Sequence, residues 1–210
     1  MRDNGVLAGL GGIAFGVLTF VAILVAAPPG GTYDANNVAD YLAKGHRTAV
    51  FVSIYLMLIG LLGLVLLLTR LRDSTAGMLG SVFWGAGVAA AAGFAVGWSV
   101  IVAPPLAVAF GGNSKVSIDP VVAYTLAETG WIILIGAGGI LLGFALVALM
   151  AASAAALPAW FRWFTLLAGV AGVAAVAFFP FFVVLLWSLV AGIWLLLSGR
   201  SAEPAPKLRT

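Results

Sequence analysis

The sequence predicts an all-α protein, a polytopic transmembrane helical bundle of about six spans with both ends in the cytoplasm. Of its 210 residues, 63% are hydrophobic and only 8% are charged, and its uncharged runs are long. Soluble domains carry about 25% charged residues, whereas a bilayer crossing needs about 20 apolar residues. We expect one domain, residues 1–199, with spans at about 5–27, 48–69, 76–102, 120–150, 164–179 and 181–198. The tail, residues 200–210, is expected to be disordered.

The first apolar run, Gly5–Ala27, predicts a retained helix. A signal peptide cleaved after Ala27 is the alternative. The run is too long for a typical signal core and Pro28 directly follows the candidate site, which favours retention.

Between the first two spans, the segment from Asp34 to Lys44 predicts a short amphipathic helix on the membrane surface. Val38, Tyr41 and Leu42 follow helical spacing, and Asp34 can cap the first turn. A solvated loop is the alternative.

The later boundaries follow from charge and proline. Arg70–Asp73 forms a charged turn, and Pro104-Pro105 is expected to end the third span. Asp119 and Pro120 have the types favoured at a helix start. The run 164–199 has 36 residues without charge, or about 54 Å as one helix. Pro180 therefore predicts a hairpin.

Basic residues predict the orientation. With the N-terminus inside, seven lie in cytoplasmic segments and three in external ones, as the positive-inside rule favours. The seven are Arg2, Arg70, Arg72, Arg162, Arg200, Lys207 and Arg209; the three are Lys44, Arg47 and Lys115. The abundance of Ala, Gly and Val indicates a bacterial source, so we expect the bacterial inner membrane.

The composition excludes several kinds of site. The chain has no cysteine and one histidine, His46, which rules out disulfides, thiolate metal sites and bis-histidine haem. No basic patch is interleaved with exposed aromatics, so nucleic acid is not expected. We expect no metal, no cofactor and no enzymatic activity, since no catalytic constellation is visible.

Glu128 is the ionisable residue of greatest interest. If the fourth span enters the bilayer near Pro120, Glu128 lies about 12 Å deep and needs a partner or a cavity. Alternatively, the helix protrudes and Glu128 lies at the headgroups.

We expect Glu128 to lie near Arg47. A ligand pocket at the external end would combine Glu128, Arg47, His46, Tyr124, Trp98, Trp131 and Tyr55. The alternative is an interfacial aromatic belt with salt bridges, in which His46 makes a headgroup or capping contact.

Small residues recur every fourth position in the third span: Gly77, Ser81, Gly85, Ala89, Gly93 and Gly97. Such a stripe lets another helix approach closely, within the chain or between chains. A glycine-lined conduction path is the alternative.

The chain carries several short motifs: Tyr33-Asp34, Tyr41-Leu42, His46-Arg47, Tyr55-Leu56, Leu71-Arg72, and Leu157-Pro158-Ala159-Trp160 with Trp163. Their layout resembles that of an actinobacterial six-span membrane protein family of unknown function. The resemblance implies six spans and a His-Arg pair before the second, but no activity. Gly45 stands where that family usually has an acid.

Two functions are compatible with these features. The first is a non-catalytic accessory or self-assembling protein, partnered by the lipid bilayer and by a second copy or another membrane protein. The second is binding or transport of a lipid or small lipophilic molecule through a pocket near Glu128.

Overall fold

The computed structural model describes residues 2–111, 117–153 and 156–200, which form an all-α bundle. Its helices are α1 (Arg2–Ala26), α2 (Ala35–Leu42), α3 (Arg47–Arg72), α4 (Gly77–Phe110), α5 (Pro120–Ile132), α6 (Ile140–Ala152), α7 (Ala159–Val173) and α8 (Phe181–Arg200). A π-helical segment, Ile133–Gly139, joins α5 to α6 without a break. Short 3-10 turns precede α3 and follow α7. Of the predicted disordered tail, 200–210, Arg200 is the last residue of α8, and residues 201–210 lie outside the described segments.

Six helical stretches are long and apolar enough to cross a membrane. They are Asn4–Ala26, Lys44–Arg72, Gly77–Phe110, Pro120–Ala152, Ala159–Ala177 and Phe181–Ser198. Large apolar side chains on these stretches point outward, including Leu62 at 66% and Ile132 at 69% exposure. Hydrocarbon, unlike water, solvates such a surface well. The predicted bundle of six spans, with its hairpin at Pro180, is confirmed.

Glycine residues lie where neighbouring helices approach each other most closely. A Cβ atom on Gly11 of α1 would lie 2.5 Å from the carbonyl oxygen of Gly63 on α3. A Cβ on Gly143 of α6 would lie 2.5 Å from the backbone nitrogen of Val173 on α7. Because no side chain stands between them, these backbones pack directly, as small residues allow in membrane bundles.

The small-residue stripe on α4 divides into two halves. Gly93 and Gly97 face the π segment: a Cβ on Gly93 would lie 2.9 Å from Gly138 N, and one on Gly97 2.5 Å from Leu134 N. The other four positions, Gly77, Ser81, Gly85 and Ala89, are exposed. Within the chain the stripe is therefore an interface over only part of its length.

The prediction that Pro104-Pro105 ends the third span is wrong, since α4 continues to Phe110 with both prolines buried inside it. Pro105 has no N–H to donate to the carbonyl of Ile101, four residues earlier. The Tyr41 hydroxyl donates to that carbonyl instead, at 3.0 Å. Neighbouring elements make such prolines tolerable in membrane helices by satisfying the freed groups.

The short helix α2 exists as predicted, with the Asp34 side chain accepting from Asn36 N at 2.9 Å. Its buried residues are Val38 and Tyr41, and α2 packs against α4 and α5. The apolar face of α2 therefore lies against protein. Burial raises the pKa of Tyr41 above its ordinary value, so its hydroxyl remains a donor.

Candidate ligand-binding groove

The end of the bundle that carries α2, here called the α2 end, places Glu128 beside the chain that leaves α1. The Gly31 N–H donates to Glu128 Oε1 at 2.7 Å, and the Tyr124 hydroxyl donates to the Gly31 carbonyl. Gly31 has φ of +77°, a conformation that glycine adopts without steric cost. Two side chains on one face of α5 therefore hold both polar groups of this glycine.

This contact sets the level of Glu128 along the bundle. Because Glu128 touches Gly31, it lies level with the end of α1 rather than beside the middle of that helix. The first eight residues of α5 extend past this level by about 12 Å. The arrangement favours the alternative in which α5 protrudes by two turns.

A groove of about 640 Å³ runs from Glu128 between α1 and the π segment. Ligand sites typically measure about 300–1,000 Å³. One wall consists of Ile23, Leu24, Ala27, Pro28, Gly30 and Gly31. The other consists of Glu128, Trp131, Ile132, Ile135 and Gly136, with Val176 and Phe178 from the α7–α8 connection.

The groove is apolar and opens sideways. Trp131 and Ile135 are 8% and 6% exposed and form its inner surface, while Leu24, Ile132 and Val176 are exposed at its rim. The ring of Phe178 packs edge-on against Trp131 at 5.5 Å between centroids. Glu128 is the ionisable residue lining this apolar space. The site thus has one carboxylate at the α2 end and an apolar channel leading towards the middle of the span.

Unusual backbone geometry occurs in the same walls. In the described chain, the non-glycine residues with positive φ are Ala27 (+39°) and Phe178 (+66°), and both line the groove. Phe178 has ψ of −61°, and Phe179 N donates to Ala177 O at 2.9 Å. These features define a γ-turn of the rare, strained kind. Strained residues persist where packing fixes them and cluster at functional sites.

The π segment supplies the groove's middle wall. A π-helical stretch widens the helix locally and is frequent at functional sites. Here Gly136 faces the groove, and a Cβ on it would meet no atom within 4 Å. The segment therefore leaves space where an ordinary side chain would occupy it.

Arg47 and His46 do not join Glu128. The single ion pair within the described segments is Arg70–Asp73 at 3.1 Å, so the expected Glu128–Arg47 proximity gives no salt bridge. Glu128 Oε1 instead accepts from the backbone N–H of Gly31. His46 Nε2 instead contacts the Ala26 carbonyl at 2.6 Å, next to strained Ala27. This is a capping contact at the end of α1, the alternative foreseen for this histidine.

Of the other predicted pocket residues, Trp131 and Tyr124 lie at the site, the latter as the partner of Gly31. Trp98 and Tyr55 do not line the groove. Trp98 is 2% exposed in the core, and Tyr55 is 67% exposed on α3. Sequence position along a span gave their level but not the face on which they lie.

Eleven of the thirteen lining residues were missed, among them Ala27, Gly30, Gly31, Gly136 and Phe178. The run Pro28-Pro29-Gly30-Gly31 carried a signal, because paired glycines directly after a helix permit positive φ close to a partner. An apolar turn such as Phe178-Phe179-Pro180 is a second signal, since an irregular backbone near lipid needs protein around it.

Across the residues described, no three His, Cys, Asp or Glu side chains cluster in a way that could hold a metal ion. Comparisons with protein families, curated proteins and solved structures find no match for this chain.

Proposed function

We propose that this protein binds a lipophilic molecule in the groove between α1 and the π segment, without catalysing a reaction. The observation that supports this most directly is an apolar cavity of about 640 Å³ with one carboxylate at its end. Such a combination of apolar walls and few polar groups is typical of ligand sites. The exposed rim at Leu24, Ile132 and Val176 would admit the molecule from the bilayer.

The test is photolabelling with a diazirine-bearing dodecanol, using protein in phosphatidylcholine nanodiscs. We expect saturable labelling of the peptide that contains Trp131–Gly136. Gly136→Leu should reduce this labelling several-fold, because its side chain would occupy the groove at a position where an added Cβ meets no atom within 4 Å. Gly85→Leu is the matched control. A Cβ added to Gly85 also meets no atom within 4 Å, but Gly85 does not line the groove.

Labelling that fails to saturate, or that is equal in the wild type and Gly136→Leu, would contradict this proposal. Thermal stability of both variants, measured in the same nanodiscs, shows whether a loss of labelling reflects a filled groove or an unfolded chain.

We further propose a bacterial cytoplasmic membrane, with both chain ends in the cytoplasm and the α2 end outside. The support is the seven-to-three distribution of basic residues. The native chain has no cysteine, so Asn36→Cys introduces a single thiol near the start of α2. We expect an impermeant maleimide to label it from outside intact cells. Labelling only after the cytoplasmic side is opened would reverse the orientation.

A self-assembling or accessory role is the second candidate, and the exposed half of the α4 stripe favours it. Gly85 and Ala89 are exposed and have small side chains or none, so another helix could pack closely against them. This role does not compete for the groove, because these residues lie outside it.

A further inference from the structure

We infer that the groove selects cationic amphiphiles, molecules with a protonated amine on an apolar chain. The inference rests on the proposed function and adds the charge of the ligand's head. The ammonium group would lie at Glu128, and the chain would follow Trp131, Ile135 and Gly136 along the groove.

The first argument is the incomplete pairing of the carboxylate. Oε1 of Glu128 accepts from Gly31 N–H at 2.7 Å, and the Tyr124 hydroxyl lies close to the same carboxylate. Both of these partners are neutral, so they leave the negative charge without a cation. No basic side chain of the described segments forms an ion pair with Glu128. Glu128 is the charged residue of an otherwise apolar groove, so the ammonium group of a ligand would supply both the opposite charge and N–H donors.

The second argument is position. Gly30 packs beside the Trp131 indole nitrogen and the Glu128 carboxylate. A Cβ added to Gly30 would lie 3.3 Å from Trp131 Nε1 and 3.4 Å from Glu128 Oε1. The carboxylate therefore lies at the α2 end of the groove, next to Gly30 and Gly31. A ligand with a charged head and an apolar chain matches this arrangement of a carboxylate followed by apolar walls. Its head would lie at the level where α1 ends. An anionic head would meet the same carboxylate and be repelled.

The experiment measures competition against the diazirine-dodecanol label by dodecylamine, dodecanol and dodecanoate, all at neutral pH. We expect dodecylamine to compete about tenfold better than dodecanol, in line with hydrogen bonds to charged groups. Dodecanoate should compete least. Empty nanodiscs of the same lipid correct for the partition of each competitor into the bilayer.

Two variants separate charge from loop structure. Glu128→Gln keeps an oxygen that can accept from Gly31 N–H but removes the charge, so dodecylamine should lose its tenfold advantage over dodecanol. Tyr124→Phe removes the hydroxyl that donates to the Gly31 carbonyl and keeps the charge. In this variant the ratio of the two competitors should persist even if total labelling falls.

The outcomes distinguish the two proposals. Saturable labelling with equal competition by all three compounds overturns the cationic selectivity and leaves the groove as a binding site. Loss of the amine advantage in Tyr124→Phe as well as in Glu128→Gln also overturns it, because loop position and not charge would then explain the preference. Absence of saturable labelling overturns the proposed function itself.

Discussion

The two sides of the π segment use glycine in opposite ways. Towards α4, Gly138 allows close packing: its Cβ would lie 2.5 Å from the ring of Phe94. Towards the groove, Gly136 leaves space, and a Cβ there would meet nothing within 4 Å. The two glycines are two residues apart in the sequence. Gly138 allows two helical segments to pack closely, whereas Gly136 leaves the groove unfilled. A glycine cluster in a membrane helix therefore indicates either a tight seam or a cavity, and only its neighbours decide which.

The same contrast divides α4 along its length. A Cβ added to Gly93 or Gly97 would clash with backbone atoms of the π segment. A Cβ added to Gly85 would meet no atom within 4 Å. All three belong to one stripe of small residues at identical spacing. The comparison gives matched substitutions, since the same change on the same helix meets either a packed backbone or nothing.

The largest effect is expected for Gly93→Leu, which tests the packed half. A Cβ at this position would lie 2.9 Å from Gly138 N and 3.1 Å from Gly138 Cα. Backbone cannot move aside as a flexible side chain can, so α4 and the π segment would separate. We expect a loss of about 3 kcal/mol or more in unfolding free energy, at or beyond the upper end for overpacked cores. Thermal or denaturant unfolding in detergent measures it.

Gly93→Ala is the companion variant and should cost less, since it adds the Cβ alone. A Gly93→Leu protein as stable as the wild type would contradict the close packing of this seam. Because the π segment also forms the groove wall, the destabilised protein should lose labelling of the Trp131–Gly136 peptide as well.

Much of the fold could be predicted because hydropathy and membrane thickness fix the spans. The hairpin at Pro180 followed from a length argument, and the cap at Asp119 from residue type; its side chain accepts from Val121 N at 2.8 Å. The end of α4 could not be predicted in this way. It depends on Tyr41, 60 residues away from Ile101, supplying the hydrogen bond that Pro105 cannot make.

The candidate site was predictable in its level and in two of its wall residues, Glu128 and Trp131. The partner of Glu128 was not, because it is a backbone N–H, which every residue except proline carries. Residue types suggested Arg47, the nearest cation by membrane level. The strained turns at Ala27 and Phe178 likewise depend on tertiary packing, which a single sequence does not display.

The smallest effect is expected for Gly85→Leu, which tests the open half of α4. A Cβ at Gly85 meets no atom of the chain within 4 Å, and the residue is exposed. If this surface faces lipid, unfolding free energy should change by no more than about 1 kcal/mol, the difference in helix propensity between glycine and good helix formers. Oligomeric state, measured by mass photometry or crosslinking in nanodiscs, should also be unchanged. If a second copy packs on Gly85 and Ala89, leucine would hold the two helices apart, and dimers present in the wild type would dissociate. That result would identify the exposed half as an interface between chains and support self-assembly, while leaving the groove, which lies elsewhere on the bundle, free to bind its ligand.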